Sequence, residues 1–339
     1  MTDNNYDIRD VAIIGAGPVG LFGVFQCGML GLSCHVIDSL SDIGGQCTAL
    51  YPEKPIYDIP GYPTIDAGEL IEKLESQAAP FDPVYHLGQQ VVAIGKESSV
   101  FNIRTSADTI VQAKTIIIAG GAGSFGPNKP PLEGIEDFEG TSIFYMVRQK
   151  ESLRDKKIVI AGGGDSAVDW AVSLASLAEK LYVVHRRDKF RAAPETVKQM
   201  HDLADQGRIE LVTPYQLKSL NGSDGQLSEI IVETLDGETR TLTADILLPF
   251  FGLATELGPI ADWGLNLDHH TIQVDPSTSQ TSIDSIYAIG DIVSYKDKLK
   301  LILTGFAEAA QAAHAIYREL HPDTPLHFEY STTKGLPAG

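Results

Sequence analysis

An apolar run, a glycine-rich turn and a second apolar segment follow one another twice along the chain. In the first copy, residues 11–14 precede a turn that begins at Gly15, and apolar residues recur through positions 21–30. In the second copy, residues 157–161 precede a turn that begins at Gly162. Each pattern predicts a strand, a tight turn and a helix, which together open a βαβ unit. The repeat predicts an α/β protein with parallel sheets.

The glycines in both turns have the spacing of a dinucleotide-binding fingerprint. Such a motif uses its first glycine for the turn, its second for close approach of a pyrophosphate, and its third small residue for helix packing. The pyrophosphate lies at the helix N-terminus, where free N–H groups and the helix dipole favour negative charge. The motif residues are Gly15, Gly17 and Gly20 in the first copy, and Gly162, Gly164 and Ala167 in the second.

The residues that end the following strands differ in charge. Asp38 and His185 both stand 23 positions after the first glycine of their copy. A carboxylate accepts a hydrogen bond from a ribose 2′-hydroxyl but repels a 2′-phosphate, whereas guanidinium groups bind that phosphate. Because Arg186, Arg187 and Arg191 accompany His185, the second copy is predicted to bind NADP(H), and the first a dinucleotide with a free 2′-hydroxyl. The alternatives are a glycine turn in an ordinary α/β core and a solvated basic edge.

The remaining segments predict further elements around these two motifs. Residues 39–66 are rich in Pro, Gly and Tyr without a clear period, which is typical of a functional irregular segment. The periodicity predicts a helix at 67–79, a small antiparallel sheet at 84–118 and a helix at 306–320. Residues 208–250 predict short strands, with turns at Asn221-Gly222 and Asp236-Gly237.

Composition and charge exclude several classes of protein. The formal charge of −19 argues against nucleic acid as a main partner. No apolar run reaches the length of about 18 residues that a membrane span needs, and residues 1–10 are too polar for a signal peptide. Cys27, Cys34 and Cys47 form no C-x-x-C pair, so neither a disulfide framework nor a metal site is expected. A reducing, cytoplasmic location is therefore expected.

Together the motifs resemble those of the flavoprotein reductases with two dinucleotide-binding domains. In that family the early glycine motif and a late T-x-x-x-x-x-Y-A-x-G-D motif, here ending at Asp291, both belong to the FAD domain. The resemblance implies an α/β fold of two Rossmann-like, three-layer ββα domains, with an NADP domain inserted in a split FAD domain. The expected bounds are 1–120 and 256–339 for FAD, and 121–255 for NADP(H).

The absence of a redox dithiol narrows the resemblance within that family. The second glycine motif and the basic segment are shared with thioredoxin reductases, but their C-x-x-C pair is missing from residues 141–150. Cys47 fills the first position of the dithiol found in glutathione-reductase relatives, and Pro52 occupies the second. Thiol–disulfide exchange needs an attacking and a resolving sulfur. The chain instead resembles, over nearly its whole length, the thioredoxin-reductase-like ferredoxin–NADP⁺ reductases.

This resemblance implies roles for individual residues, a homodimer and two cofactors, FAD and NADP(H). Tyr51 and Tyr330 are expected to cover the two faces of the flavin, and no general base is expected. Val91 and Phe125 would line its pocket. The expected FAD residues are Gly15, Gly17, Pro18, Gly20, Asp38, Gln46, Tyr51, Val91, Phe125, Asp291 and Thr332. The expected NADP(H) residues are Gly162, Gly164, Asp165, Ser166, Ala167, His185, Arg186, Arg187 and Arg191.

The expected activity is electron transfer between NADP(H) and ferredoxin or flavodoxin through FAD. Three alternatives remain open: reduction of a small acceptor such as a quinone or free flavin, thioredoxin-type disulfide reduction, and a non-catalytic flavin-binding sensor. Lys296, Lys298 and Lys300 are candidates for a basic docking patch on this acidic protein, or for a solvated loop.

Overall fold

A computed structural model of the protein describes residues 7–121 and 123–324, apart from the side chains of residues 124–127 and 253–255. The chain divides into two units. The split unit combines Met1–Ser124 with Thr255–Gly339, and the inserted unit is Phe125–Ala254.

The strands and helices follow the expected alternation along the chain. The strands are β1 (Arg9–Ile14), β2 (Cys34–Ile37), β3 (Pro55–Ile56), β4 (Ile65–Asp66), β5 (Val84–His86), β6 (Val91–Glu97), β7 (Val100–Thr105), β8 (Ile110–Ile118), β9 (Ser124–Pro127), β10 (Lys157–Ala161), β11 (Lys180–Val184), β12 (Glu210–Val212), β13 (Gln216–Ser223), β14 (Gln226–Glu233), β15 (Thr239–Thr243), β16 (Ile246–Pro249), β17 (Leu253–Glu256), β18 (Leu267–Asp268), β19 (Thr271–Gln273), β20 (Ile286–Ala288) and β21 (Val293–Ser294). The α-helices are α1 (Pro18–Met29), α2 (Gln46–Ala49), α3 (Ala67–Ala78), α4 (Asp165–Leu174), α5 (Pro194–Asp205) and α6 (Ile302–Leu320). Short 3₁₀ helices lie at Ala79–Phe81, Ile135–Phe138, Lys150–Leu153, Gly258–Asp262 and Gly290–Ile292.

The main sheet of the split unit has the order β5-β2-β1-β8-β7-β6, and β20 also pairs with β8. Pairs among β5, β2, β1, β8 and β20 are parallel, whereas β6, β7 and β8 form an antiparallel meander. In β1, Val11 and Ile13 contribute to a core shared with α1 and α6, while Ala12 and Ile14 contribute to the core on the other side of the sheet. Because both faces of the sheet are buried here, residues 11–14 of the strand are all apolar.

The inserted unit repeats this plan around β10. Its parallel sheet has the order β12-β11-β10-β16, and β13, β14 and β15 form a separate antiparallel sheet. Val159 and Leu247 of the parallel sheet share a core with Ile230 and Leu242 of the antiparallel sheet. In both units the first crossover goes to one side of the central strand and a later strand lies on the other side. The carboxyl end of that central strand is therefore a topological switch point, where ligands bind in open α/β sheets.

Three details differ from the sequence-based expectations. The small antiparallel sheet expected at 84–118 is not separate, since β6, β7 and β8 belong to the main sheet and β5 pairs in parallel with β2. The helix expected at 306–320 begins one turn earlier, at Ile302. The turn expected at Asn221-Gly222 is wrong, since both residues are paired within β13. The hairpin turn lies instead at Asp224-Gly225, where both residues have positive φ values of 52° and 76°. Both dipeptides suit a type I′ turn, and the pairing register of β13 with β14 decides between them.

Candidate functional site

The first glycine turn joins β1 to α1 with contacts that allow no side chain at two of its glycines. Gly15 has a φ of +115°, and a Cβ there would lie 2.3 Å from the Ala119 carbonyl oxygen. A Cβ at Gly20 would lie 2.0 Å from the Gly15 carbonyl oxygen. At Gly17, the N-cap residue of α1, a Cβ would meet nothing within 4 Å. The open side of the turn is therefore at the N-terminus of α1, with Pro18 in its first turn.

Asp38 lies directly beyond β2 and is tied to this turn. Its carboxylate accepts hydrogen bonds from the Ala16 amide at 2.6 Å and the Leu40 amide at 2.8 Å, one on each oxygen. Burial raises the pKa of this carboxyl above its usual value, against those hydrogen bonds. A carboxylate can accept about four hydrogen bonds. Asp38 therefore keeps acceptor capacity for hydroxyl groups.

The irregular segment after β2 returns to the glycine turn. The Gly44 amide donates to the Ala16 carbonyl oxygen at 2.9 Å, and a Cβ at Gly45 would lie 3.2 Å from the Gly17 Cα. The side-chain nitrogen Nε2 of Gln46 lies 3.8 Å from the position that a Cβ at Gly121 would take. The structure thus brings Gln46 toward the end of β8 beside the same turn.

Cys47, Tyr51 and Asp291 lie close enough to influence one another electrostatically. Burial raises the pKa of the Cys47 thiol to about 12, and the Asp291 charge adds to this shift. Burial, with the charges of Cys47 and Asp291, also raises the pKa of the Tyr51 hydroxyl. The pKa of the Asp291 carboxyl is raised by desolvation, although the side chain is accessible to solvent. The late Gly-Asp motif therefore lies near the early irregular segment.

For four of the residues expected to bind FAD, the structure shows no side chain in this site. The Val91 side chain is buried in the core with Ile14 and Ile37, so only its backbone is available to a ligand. The side chain of Phe125, together with Tyr330 and Thr332, lies outside the described residues.

In the second glycine turn, between β10 and α4, neighbouring atoms again exclude a side chain at one glycine and leave space at another. A Cβ at Gly162 would lie 2.5 Å from the Phe250 carbonyl oxygen and 3.0 Å from the Ala167 Cβ. A Cβ at Gly164 would meet nothing within 4 Å, and Gly164 is the N-cap residue of α4. Ser166 is exposed in the first turn of that helix. The open side again lies at a helix N-terminus.

The basic segment after β11 is attached to this second turn by its backbone. The Arg191 amide donates to the Gly163 carbonyl oxygen at 2.7 Å, and the Ala193 amide donates to the Asp165 carboxylate at 3.0 Å. The Asp165 carboxylate therefore helps to fold the segment. A Cβ at Gly163 would lie 2.2 Å from the His185 ring, so this glycine leaves room for the imidazole.

A cavity of about 700 Å³ lies on this side of the inserted unit. Arg186, Arg187 and Arg191 line it and are exposed. Within the described part of the chain, none of the three makes a side-chain hydrogen bond or ion pair. Burial, together with these arginines, lowers the pKa of His185. These causes favour the neutral form of the imidazole, and the three guanidinium groups supply positive charge to the cavity.

Several cavity residues were missed by sequence reasoning. Lys129 and Tyr215 line the cavity, as do Phe250, Phe251 and Gly252. Tyr215 follows β12 and Phe250 follows β16, so both stand at carboxyl ends of parallel strands, where binding residues are expected. That rule could have identified them. Lys129 follows no strand of the parallel sheet, and its position had no comparable signal.

Two further features are absent from the described residues: a cluster of potential metal ligands and a membrane-spanning helix. Between residues 7 and 324, leaving out 122, no group of three or more His, Cys, Asp or Glu side chains is arranged to hold a metal ion. No helix in the same ranges is long and apolar enough to cross a membrane. Cys27, Cys34 and Cys47 are buried and free.

Comparison with known proteins gives consistent matches over almost the whole chain. Residues 9–315 match the pyridine nucleotide-disulphide oxidoreductase family. The chain is 62% identical over 325 residues to the ferredoxin–NADP reductase of Rickettsia felis, which covers 96% of this chain and 97% of the relative. It is 58% identical to the ferredoxin–NADP reductase of Rhodospirillum rubrum over 332 residues. This alignment covers 97% of this chain and 96% of the relative.

A solved structure gives the corresponding match in three dimensions. The thioredoxin reductase of Lactococcus lactis is similar with a TM-score of 0.79 and 25% sequence identity, over 91% of this chain and 98% of that chain. These matches confirm the predicted fold class of two Rossmann-like, three-layer domains, one inserted in the other.

Proposed function

The chain belongs to the pyridine nucleotide-disulphide oxidoreductases and, within them, to the ferredoxin–NADP reductases, and from this membership we propose that it transfers electrons between NADP(H) and ferredoxin through FAD. We assign FAD to the split unit and NADP(H) to the inserted unit. The observation that carries this assignment is the contrast between the two ribose positions. Asp38 occupies one, and the cavity with exposed Arg186 and Arg187 occupies the other.

The residues of the split unit fit FAD. The open side of Gly17 leaves space for a pyrophosphate at the N-terminus of α1, and Asp38 retains acceptor capacity for ribose hydroxyls. Val91 would contribute through its backbone. We assign Tyr51 to one flavin face and Asp291 to the chain between flavin and pyrophosphate. The assignments of Gln46, Phe125, Tyr330 and Thr332 to FAD rest on the family resemblance.

The residues of the inserted unit fit NADP(H). Three guanidinium groups line the cavity, and a 2′-phosphate is bound best by such planar, fully charged donors. Gly164 leaves space for the pyrophosphate, as Gly17 does in the split unit. The His185 ring packs beside Phe190, with ring centroids 5.2 Å apart. It gives the cavity an apolar surface next to its charges.

FAD, when bound, supplies the chemistry that links hydride exchange with nicotinamide to single-electron exchange with an iron–sulfur protein. The chain contributes binding and orientation. The buried Cys47 thiol, with a pKa raised to about 12, is protonated at neutral pH. Because the thiolate is the nucleophile in disulfide exchange, Cys47 is unsuited to that reaction.

A panel of electron acceptors tests this proposal. Purified protein is supplied with NADPH and with ferredoxin plus cytochrome c, with thioredoxin plus the disulfide reagent DTNB, or with a quinone. We expect a yellow, FAD-containing protein that reduces cytochrome c only when ferredoxin is present, with no thioredoxin-dependent reduction of DTNB. A quinone rate that exceeds the ferredoxin-dependent rate would contradict the proposal. Protein that is purified without flavin and binds none when FAD is added would also contradict the proposal.

A homodimeric assembly and a cytoplasmic location complete the proposal. The homodimer rests on the family resemblance, and the location rests on the cysteines, which form no C-x-x-C pair in the sequence.

A further inference from the structure

A buried acidic side chain on α6 collects three hydrogen bonds beside the late Gly-Asp motif. Glu308 is 2% exposed. One oxygen of its carboxylate accepts from the Gly290 amide at 2.7 Å, and the other accepts from the Tyr295 hydroxyl at 2.6 Å and the Lys298 ammonium at 2.5 Å. The Lys298 side chain is only 5% exposed. Lys298 is therefore unavailable for the docking patch considered from the sequence.

The same face of α6 fits closely against Gly290. Gly305 lies one turn before Glu308, and a Cβ at Gly305 would lie 2.4 Å from the Val19 side chain and 3.3 Å from the Gly290 Cα. Gly290 has a φ of +83°, a conformation that favours glycine. The Gly290–Ile292 turn is therefore held between α1 and α6, and Glu308 binds its first amide.

Asp291 follows Gly290 directly, and the charges of this network act on its carboxylate. The positive charges of Lys298 and Lys300 lower the pKa of the Asp291 carboxyl, whereas the negative charge of Glu308 raises it. Any displacement of Glu308 would therefore move the backbone of Asp291 and change the electrostatic potential at its carboxylate.

We propose that Glu308 is a positioning residue for the flavin: with Lys298 it holds the Gly290–Asp291 turn and balances the charge beside it. This inference rests on the proposed binding of FAD in the split unit. A buried ion pair is weak evidence for stability, because desolvation offsets its attraction, but removal of one partner leaves an uncompensated charge. Each single substitution therefore changes the local charge with a definite sign.

The expected effects follow from that sign. Glu308→Gln keeps the side-chain volume but leaves the Lys298 ammonium without its counter-charge. Lys298→Met leaves the carboxylate unpaired and keeps the hydrogen bond to Gly290. Reduction adds negative charge to a flavin, so nearby positive charge makes reduction easier. We expect a more positive flavin midpoint potential for Glu308→Gln and a more negative one for Lys298→Met.

The experiment compares these variants with Glu319→Gln as the matched control. Glu319 also lies on α6, where its carboxylate accepts from the Tyr287 hydroxyl at 2.7 Å, away from the Gly290–Asp291 turn. FAD dissociation constants are measured by adding FAD to the apoproteins, and midpoint potentials by dye-coupled reduction of the holoproteins. Glu308→Gln is expected to raise the dissociation constant at least about tenfold relative to Glu319→Gln, a change of 1.4 kcal/mol.

The inference stands if this loss of affinity and the opposite potential shifts are both observed, and absence of either overturns it. Should Glu308→Gln fail to fold, Lys298→Met decides, because it retains the contact with Gly290 and an unchanged potential refutes the inference. Wild-type protein that binds no FAD would instead refute the proposed function. Equal FAD binding by wild type, Glu308→Gln and Glu319→Gln refutes only the role of Glu308.

Discussion

At the scale of single residues, the proposed choice of nucleotide rests on the side chain that directly follows the second strand of the glycine motif in each unit, Asp38 after β2 and His185 after β11. Asp38 accepts backbone amides from the first glycine turn and keeps lone pairs for a ribose. In the inserted unit, His185 holds the corresponding position. The arginines that follow it make no side-chain hydrogen bond or ion pair within the described residues. Side-chain chemistry at one topological position thus separates two otherwise similar sites.

Replacement of both Arg186 and Arg187 by Gln should selectively weaken the use of NADPH. A hydrogen bond to a charged group contributes about 1.5–3 kcal/mol, so the KM for NADPH should rise by about tenfold to a hundredfold per arginine. The KM for NADH should change by less than about threefold, because NADH has no 2′-phosphate. Steady-state kinetics with an artificial acceptor measure both values.

Arg154→Gln is the control for this double substitution. Arg154 is an exposed arginine of the same unit that pairs with Glu151 at 2.8 Å and does not line the cavity. It should leave both KM values unchanged. Equal losses for NADPH and NADH in the double variant would contradict a phosphate role for these arginines.

At the scale of elements, the strand–turn–helix motif separates folding from ligand binding among its own glycines. A Cβ at Gly15 would clash with backbone atoms of Ala119 and Gly120, directly after β8, whereas a Cβ at Gly17 would face open space. The glycine motif predicts this division from the sequence, with its first glycine in the turn and its second against a pyrophosphate. The contacts around the turn agree, since they exclude a side chain at Gly15 and leave space at Gly17.

Gly15→Ala and Gly17→Ala should therefore have different consequences. Gly15→Ala should destabilise the protein by about 2 kcal/mol or more, since it combines an unfavourable φ with a clash against the Ala119 carbonyl. Gly17→Ala should leave the apoprotein within about 0.5 kcal/mol of wild type and weaken FAD binding at least about tenfold. Denaturant unfolding of the apoproteins and FAD titration measure the two effects. Similar stability losses in both variants would contradict this division.

At the scale of the whole molecule, one complete unit is inserted between the two halves of another. The inserted unit is a continuous segment, Phe125–Ala254. Its core draws on Val159 and Leu247 from one sheet and Ile230 and Leu242 from the other, all within that segment. All the described residues that line the arginine-containing cavity also belong to the inserted unit.

The excised segment 125–254 should therefore fold and keep nucleotide selectivity. We expect a cooperative thermal transition by circular dichroism, and binding of 2′,5′-ADP at least about tenfold tighter than 5′-AMP, because one phosphate distinguishes the ligands. Calorimetric titration measures this ratio. The same segment carrying Arg186→Gln and Arg187→Gln should fold but lose the preference. A segment that melts without cooperativity would show that the unit depends on the rest of the chain.

The sequence by itself determined the features that local pattern carries. The two strand–turn–helix motifs, the class of the fold and the contrast of Asp38 with Arg186 are all readable because spacing along the chain and side-chain charge specify them. Helix α3 was likewise predicted within a residue, since its apolar positions repeat with helical period.

Only the tertiary structure decided the features that depend on contacts between different elements. Strand register moved the hairpin turn from Asn221-Gly222 to Asp224-Gly225. Packing of α6 buried Lys298 against Glu308, although its sequence neighbourhood reads as an exposed basic loop. Lys129 joined the cavity through folding of a segment without periodic pattern. In each case a contact with another element sets the environment of the residue, and the local pattern of apolar and polar positions does not encode that contact.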